Sequence, residues 1–509
     1  MSVLIIIHVI VGLLLTVYAF NSWVLTVLYL KHRRNVRQPI PHRQEAKMVS
    51  GEELPPVTVQ LPIFNEALVV ERLIDTIVRL DYPADRLHIQ VLDDSTDETT
   101  AIALACVEHY RRQGLNIELI RRSDRAGFKA GSLRNGLETA TGEFIAIFDA
   151  DFVPEPDFLK QTVPPLMANP RLGFVQTRWE HINRDYSSLT AAQAIALDGH
   201  FVVEHIARNR SGLFINFNGT AGVWRRECIE AAGNWQDDTL FEDFDLSYRA
   251  QLAGWAGLYL PDVVAPAEVP PQLAAFKRQQ FRWAKGTTQC LKKLGWAVLR
   301  TSLAWPVKLQ ALLHLSSYLV HPLMLILAVI SPILMMAGGT AGLPLPMIYL
   351  PLVSLGSPLL YIVAQAALYP TTWWQRDKAM LTLALLGSGL ALSNTRAIGE
   401  ALLGVDNVFW RTPKFNVTAV TDQWQSSVYR LPLDGLVWGE LALSLYLCYG
   451  AWIAATNGHA FAAPLLLLYA LGCGYVSLQG LWEARLRIVA QNKQNRSNKI
   501  WLSSNRKSW

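Results

Sequence analysis

Three stretches of the sequence carry no Asp, Glu, Lys or Arg: residues 2–30, 309–375 and 441–482. A helix crossing a bilayer needs about 20 apolar residues. The first stretch reads as one span, and the second is far too long for a single core helix. It reads as two spans, 309–336 and 345–369, joined by a Gly- and Pro-rich 337–344. The third reads as 436–455 and 461–482, joined at 456–460. Residues 2–30 lack a basic leader and a small-residue cleavage site, so a retained anchor is expected rather than a signal peptide.

Basic residues cluster at particular span ends. Lys31, Arg33, Arg34 and Arg37 follow the first span, and Arg376 and Lys378 follow the third. Arg485, Arg487, Lys493, Arg496 and Lys499 follow the last. Five spans with the N-terminus outside put all of them in the cytoplasm. Segment 379–393 is apolar but short, and Arg396, Arg411 and Lys414 follow it. A sixth span there would send those residues outside, so a helix lying in the cytoplasmic interface is expected. The expected organisation is an anchor at 1–30, a cytoplasmic domain at 31–308 and two membrane helices within 309–369. An interfacial helix and cytoplasmic segment at 370–433, two helices within 434–484 and a basic cytoplasmic tail at 485–509 complete it.

Composition agrees with an integral membrane protein in contact with lipid. Charged residues make up 17%, against about 25% in soluble domains. A net charge of +5 over 509 residues gives no support to a nucleic-acid partner. Five cysteines without a C-x-x-C pair argue against a disulfide scaffold or a structural zinc site.

The charged part, 31–308, alternates short apolar runs with helical ones. Strands are expected at 57–62, 88–92, 116–120 and 144–148, with helices at 66–80 and 97–112. That pattern predicts an α/β domain with a Rossmann-like, mostly parallel sheet, inserted between membrane helices. No G-x-G-x-x-G follows the first strand, so an NAD-type site has no support. Asp93-Asp94 and Asp149-Ala150-Asp151 both fall at carboxyl ends of strands, where open α/β sheets bind ligands. The first pair reads equally well as a helix cap or turn. In the second, two carboxylates would repel each other unless a hard divalent ion on a diphosphate joined them. Phe241-Glu242-Asp243 and Gln279-Gln280-Phe281-Arg282-Trp283 follow, in that order.

The ordered set Asp94, Asp149-x-Asp151, Glu242-Asp243 and Gln279-Gln280-x-Arg282-Trp283 resembles the inverting membrane glycosyltransferases of family 2. The likeness is strongest to the cellulose-synthase-like A (glucomannan synthase) group and bacterial cellulose synthase-type enzymes. It rests on VQLPIFNE (59–66), VLDDSTD (91–97), GFKAGSL (127–133), FDADF (148–152), VQTRW (175–179) and FNGTAGVWR (217–225). The segment from Phe409 to Lys414 is similar to the F-x-V-T-x-K gating loop of cellulose synthases, with Arg411 in place of the usual Val.

The resemblance implies a GT-A domain and a set of roles. Asp93 and Asp94 would meet the donor's base or ribose, and Lys129 would lie near its phosphates. Asp149 and Asp151 would hold Mg2+ or Mn2+ on the diphosphate. Asp243, beside Glu242, would be the catalytic base. Gln279, Arg282, Thr412 and Lys414 would close over the donor. Trp283, Asn218, Gly219 and Thr220 would receive the acceptor. The expected activity is transfer of a hexose from UDP-glucose or GDP-mannose to a growing β-linked glycan at the cytoplasmic face. The alternatives are transfer of one sugar to a lipid, or a scaffold carrying an inactive transferase domain.

Overall fold

A computed structural model describes residues 2–33, 54–337, 355–406, 409, 411–457 and 462–505, with 486–505 described by their backbone alone. Seven strands form one sheet: β1 Val57–Ile63, β2 Leu87–Asp93, β3 Ile117–Arg121, β4 Phe144–Ile147, β5 Leu172–His181, β6 Gly222–Arg225 and β7 Ala256–Ala267. Their order is β3-β2-β1-β4-β6-β5-β7. Strands β1 to β4 pair in parallel. They are the continuous apolar runs of the sequence, as burial on both faces requires. β6 runs antiparallel to β4 and β5, and β7 is parallel to β5. The expected helix from residue 66 starts later, at Val70. Asn65 takes a left-handed backbone (φ 53°) and turns the chain first.

Alternate residues of β4 point to opposite faces. Phe144 and Ala146 pack with the helices Val70–Ile77, Thr99–Arg112 and Phe158–Ala168. Ile145 and Ile147 share the other core with Leu25 and Tyr29 of the first helix and with Leu360 and Ala364. That second core joins the sheet directly to the first helix and to the apolar helix Gly356–Leu368.

Among the described residues, four helices are long and apolar enough to span a bilayer: Ser2–His32, Ser317–Met336, Val437–Thr456 and Ala462–Arg485. The expected span at 309–336 is divided. A helix Trp305–Leu315 ends before a tight turn at Ser317–Leu319, and Val320–Met336 continues. Of the expected span at 345–369, residues 345–354 lie outside the described residues, and the rest is the apolar helix Gly356–Leu368. Segment 379–393 is divided at Leu390 into Asp377–Gly389 and Ala391–Leu403. The first of these packs on the helix Ser188–Asp198 of the sheet domain through Leu386, Leu189 and Ala192.

Candidate active site

Parallel pairing lays the carboxyl ends of β2, β1 and β4 side by side. Ile63 pairs with Asp93, and Gln60 pairs with Ile147 two residues before Asp149. The Asp149 backbone N–H donates to Thr220 Oγ1 at 2.8 Å, and Thr220 itself is fully buried. Lys129 Nζ lies 2.6 Å from Asp149 Oδ1 and donates to Gly219 O at 2.9 Å. A Cβ on Gly219 (φ +80°) would stand 2.9 Å from Asp243 Oδ2 and 3.5 Å from Lys129 Nζ. Only glycine combines that left-handed backbone with so close an approach. Lys129, Asp149, Gly219 and Asp243 are therefore one cluster, drawn from four separate parts of the chain.

Electrostatics divides the two carboxylates of this cluster. Burial alone would raise the Asp149 carboxyl, but Lys129, Arg411 and Lys414 hold it below the usual range. Burial and the neighbouring Glu242 push Asp243 well above that range, with Lys129 and Arg282 only partly opposing them. Burial would lower Lys129, but Asp149, Glu242 and Asp243 raise it. Carboxylates driven apart in this way mark different chemical tasks.

Gln279, Arg282 and Trp283 stand at i, i+3 and i+4 on the helix Leu273–Arg300, so they share a face. All three are half-buried. Arg282 stacks its guanidinium 4.8 Å from the Phe409 ring centroid, and its buried Nε has no partner. Phe409 also stacks on Phe128, which precedes Lys129. A small cavity opens here, lined by Phe128, Lys129, Asp237, Thr239, Glu242 and Phe409 among others.

Asp93 is occupied by its own turn. Its carboxylate accepts from the Ser95 N–H and the Thr100 hydroxyl, and Arg121 stands 3.3 Å away. Asp94 accepts from Arg122 Nε and Nη2, at 3.0 and 2.5 Å. Asn218 is half-buried and its backbone N–H donates to Gln176 Oε1 at 2.7 Å.

Residues 411–416 lie over the strand ends. Lys414 Nζ is 2.7 Å from Asp151 Oδ2, which also accepts the Glu268 N–H. Thr412 is buried, and its hydroxyl has no partner. Arg411 pairs with Glu66 at 2.7 Å. The Glu268 carboxylate accepts the backbone N–H groups of Phe415 and Asn416 at 3.0 and 2.9 Å. Burial raises Glu66 to about 7 against the pull of Arg411 and Lys414, and burial with Asp151 raises Glu268 to about 7. Glu66 stands in the first motif with no partner marked by the sequence, and Glu268 and Arg122 carry no motif at all. A buried Glu has no periodic or spacing signal, since its partners here come from segments more than a hundred residues away.

Asp149 and Asp151 also suit a divalent ion. Their oxygens are hard ligands, and Asp151 Oδ1 is buried without a partner. Among the described residues no group of three or more His, Cys, Asp or Glu could hold a metal by itself. Mg2+-type sites commonly take one or two carboxylates and complete their shell with water and substrate phosphates.

Known proteins resemble this chain in sequence and in fold. Residues 55–286 match the family described as Glycosyltransferase like family 2. Probable glucomannan 4-beta-mannosyltransferase 7 of Oryza sativa subsp. japonica is 46% identical over 252 residues, covering 48% of this chain and 43% of that protein. Glucomannan 4-beta-mannosyltransferase 2 of Arabidopsis thaliana is 42% identical over 268 residues, covering 52% of this chain and 49% of that protein. The chain thus spans about half the length of the curated relatives it matches. The mannosyltransferase PcManGT of Pyrobaculum calidifontis, solved with GDP-Man and Mn2+, superposes with a TM-score of 0.52 at 24% identity. That match covers 79% of this chain and 100% of that one. The sheet domain has the GT-A glycosyltransferase fold, flanked by membrane-type helices.

Proposed function

We propose that this chain is a membrane-embedded, inverting glycosyltransferase that extends a β-linked mannan or glucomannan from GDP-mannose. The observation that carries this reading is the Lys129–Asp149–Gly219–Asp243 cluster, with one carboxyl held low and the other pushed high. The choice of mannose over glucose is supported by the glucomannan mannosyltransferase relatives.

In this mechanism the acceptor hydroxyl oxygen attacks the donor's anomeric carbon. The bond from that carbon to the diphosphate oxygen breaks, and one displacement inverts the centre. Asp243 takes the acceptor proton, and burial beside Glu242 raises its affinity for that proton. Lys129, Arg282 and Lys414 meet the charge that grows on the leaving diphosphate. Asp149 and Asp151 would hold Mg2+ or Mn2+, which when bound would supply further positive charge at that diphosphate. Trp283 offers an indole face to the C–H side of a sugar.

Location follows the charge bias. The basic span ends support a catalytic domain in the cytoplasm with the N-terminus outside. Residues 411–431 pack on that domain, through Tyr429 to Asp97, Arg72 to Asn416 and Gln272 to Leu431 among others, so they share its side.

Donor selection is the direct test. Full-length protein in lipid nanodiscs is supplied with Mn2+ and labelled GDP-mannose or UDP-glucose. The reading expects release of GDP coupled to label in glycan. Turnover of UDP-glucose alone would overturn the choice of donor, and turnover of neither would overturn the transferase reading.

A further inference from the structure

A π-helical turn, Gly199–Glu204, interrupts the path from the helix Ser188–Asp198 to His205–Arg210. Such turns add one residue to a helical turn and recur at functional sites. This one is wedged between the apolar helix Gly356–Leu368 and the loop 216–220. On one side a Cβ at Gly199 would stand 2.6 Å from Tyr361 Cδ1, on the helix Gly356–Leu368. On the other side two histidines grip the loop.

His200 bridges two groups. Its Nδ1 is 3.2 Å from Glu204 Oε2, and its Nε2 is 3.1 Å from Asn218 Nδ2. One tautomer satisfies both contacts: Nδ1–H donates to the carboxylate, and Nε2 accepts from the amide. His205 Nε2 lies 3.0 Å from Asn216 O, and burial and the neighbouring His200 hold this imidazole well below its usual value. A neutral His205 donates Nε2–H to that carbonyl. Behind them, Arg208 Nε donates to Glu204 Oε1 at 2.8 Å. Burial would raise Glu204, but Arg208 and His200 keep it well below the usual carboxylate range. Glu204 therefore stays an acceptor, and the tautomer of His200 is fixed from behind.

Asn218 is the residue so held. Its backbone N–H is taken by Gln176 and its side-chain nitrogen by His200. Its Oδ1 is buried and has no partner. The next residue is Gly219, which abuts both Asp243 and Lys129. An amide whose nitrogen is committed presents its oxygen as the remaining acceptor.

We propose that His200 and Glu204 are positioning residues for the sugar acceptor: they orient Asn218 so that Oδ1 accepts a hydrogen bond from a hydroxyl of the incoming sugar, beside Asp243. The proposal rests on the transferase reading above and adds the route by which the acceptor is held.

The test is a double-mutant cycle on the full-length protein in nanodiscs, with GDP-mannose as donor and a short β-linked mannan oligosaccharide as acceptor. His200→Phe keeps a ring and removes both nitrogens. It should raise the acceptor KM roughly three- to tenfold, the worth of about one oriented hydrogen bond. The Kd for GDP-mannose, read by calorimetry, should stay at the wild-type value. His200→Gln can donate to Glu204 and accept from Asn218, and should recover most of the acceptor affinity. In an Asn218→Ala background, His200→Phe should add nothing. An unchanged acceptor KM in His200→Phe, or a full additive loss in the Asn218→Ala background, would overturn the proposal. If His200→Phe does not fold, His200→Ala enters the same cycle. Wild-type protein that transfers no sugar would defeat the transferase reading instead, so the two failures are separable.

Discussion

Lys414 Nζ stands 2.7 Å from Asp151 Oδ2, although the two residues lie 263 positions apart in the chain. The contact ties a segment that follows the helix Ala391–Leu403 to the strand end carrying both candidate metal carboxylates. In the proposed function, an ammonium there would exchange a carboxylate for a donor phosphate. Lys414→Ala should weaken GDP-mannose binding about tenfold or more, the scale of one charge-assisted hydrogen bond. Calorimetry in the presence of Mn2+ reads it, and an unchanged Kd would remove Lys414 from the donor site.

Chelation and Asp151→Asn test the metal from two directions. Excess EDTA should abolish transfer, and Mn2+ or Mg2+ should restore it. Asp151→Asn should lose the metal-dependent part of turnover. Full activity in chelator would contradict the role given to Asp149 and Asp151.

Asp243→Asn separates binding from chemistry. It keeps the side chain's shape and loses the proton acceptor, so GDP-mannose should still bind. Transfer should fall by about 10²–10⁴-fold. Because burial and Glu242 raise the Asp243 carboxyl, its ionisation costs folded-state stability. That stability is present at low pH and lost as pH rises through the raised value. The Asn variant should therefore melt higher than wild type at neutral pH. A variant that transfers sugar at near-normal rate would show the base lies elsewhere.

Glu66 predicts a pH effect outside the chemical step. Its folded value of about 7 lies above its ordinary 4.5. Stability tied to this group is complete below its ordinary value and is lost as pH rises through about 7. Glu66→Gln should flatten that part of the melting profile. Arg411→Ala removes the counter-charge, and should free residues 411–416 enough for trypsin to cut after Lys414. A trypsin pattern equal to wild type would mean that the ion pair does not hold the segment.

Much of this architecture was legible in advance. Four apolar strands and the helices between them announced a parallel sheet, and its strand ends at Asp93 and Asp149 lie at the candidate site. Charge-free runs marked the four described helices that are long and apolar enough to span a bilayer, because an unpaired charge is costly in lipid. The break near Ser317 and the division at Leu390 were not legible, since both stretches are evenly apolar and packing decides where such helices end. Asp93 shows the same limit at the site. Its side chain serves its own turn through Ser95 and Thr100, and a residue type at a strand end does not reveal that. The Glu66–Arg411 pair and the His200–Asn218 contact needed coordinates, because their partners are remote in sequence or set by a π turn.

Topology can be read with single cysteines at position 426 or 457 in a background lacking Cys106, Cys228, Cys290, Cys448 and Cys473. An impermeant thiol reagent on intact cells should label Asn457→Cys and spare Ser426→Cys. Labelling at 426 would put residues 411–431 outside, and the sheet domain they pack against with them.

The product itself tests the central claim most directly. Full-length protein in nanodiscs, given labelled GDP-mannose, Mn2+ and a short β-linked mannan oligosaccharide, should yield a ladder of lengthening chains that an endo-β-mannanase degrades. A single labelled lipid band that resists the enzyme, with no ladder, would contradict polymer synthesis and identify the chain as a glycolipid synthase.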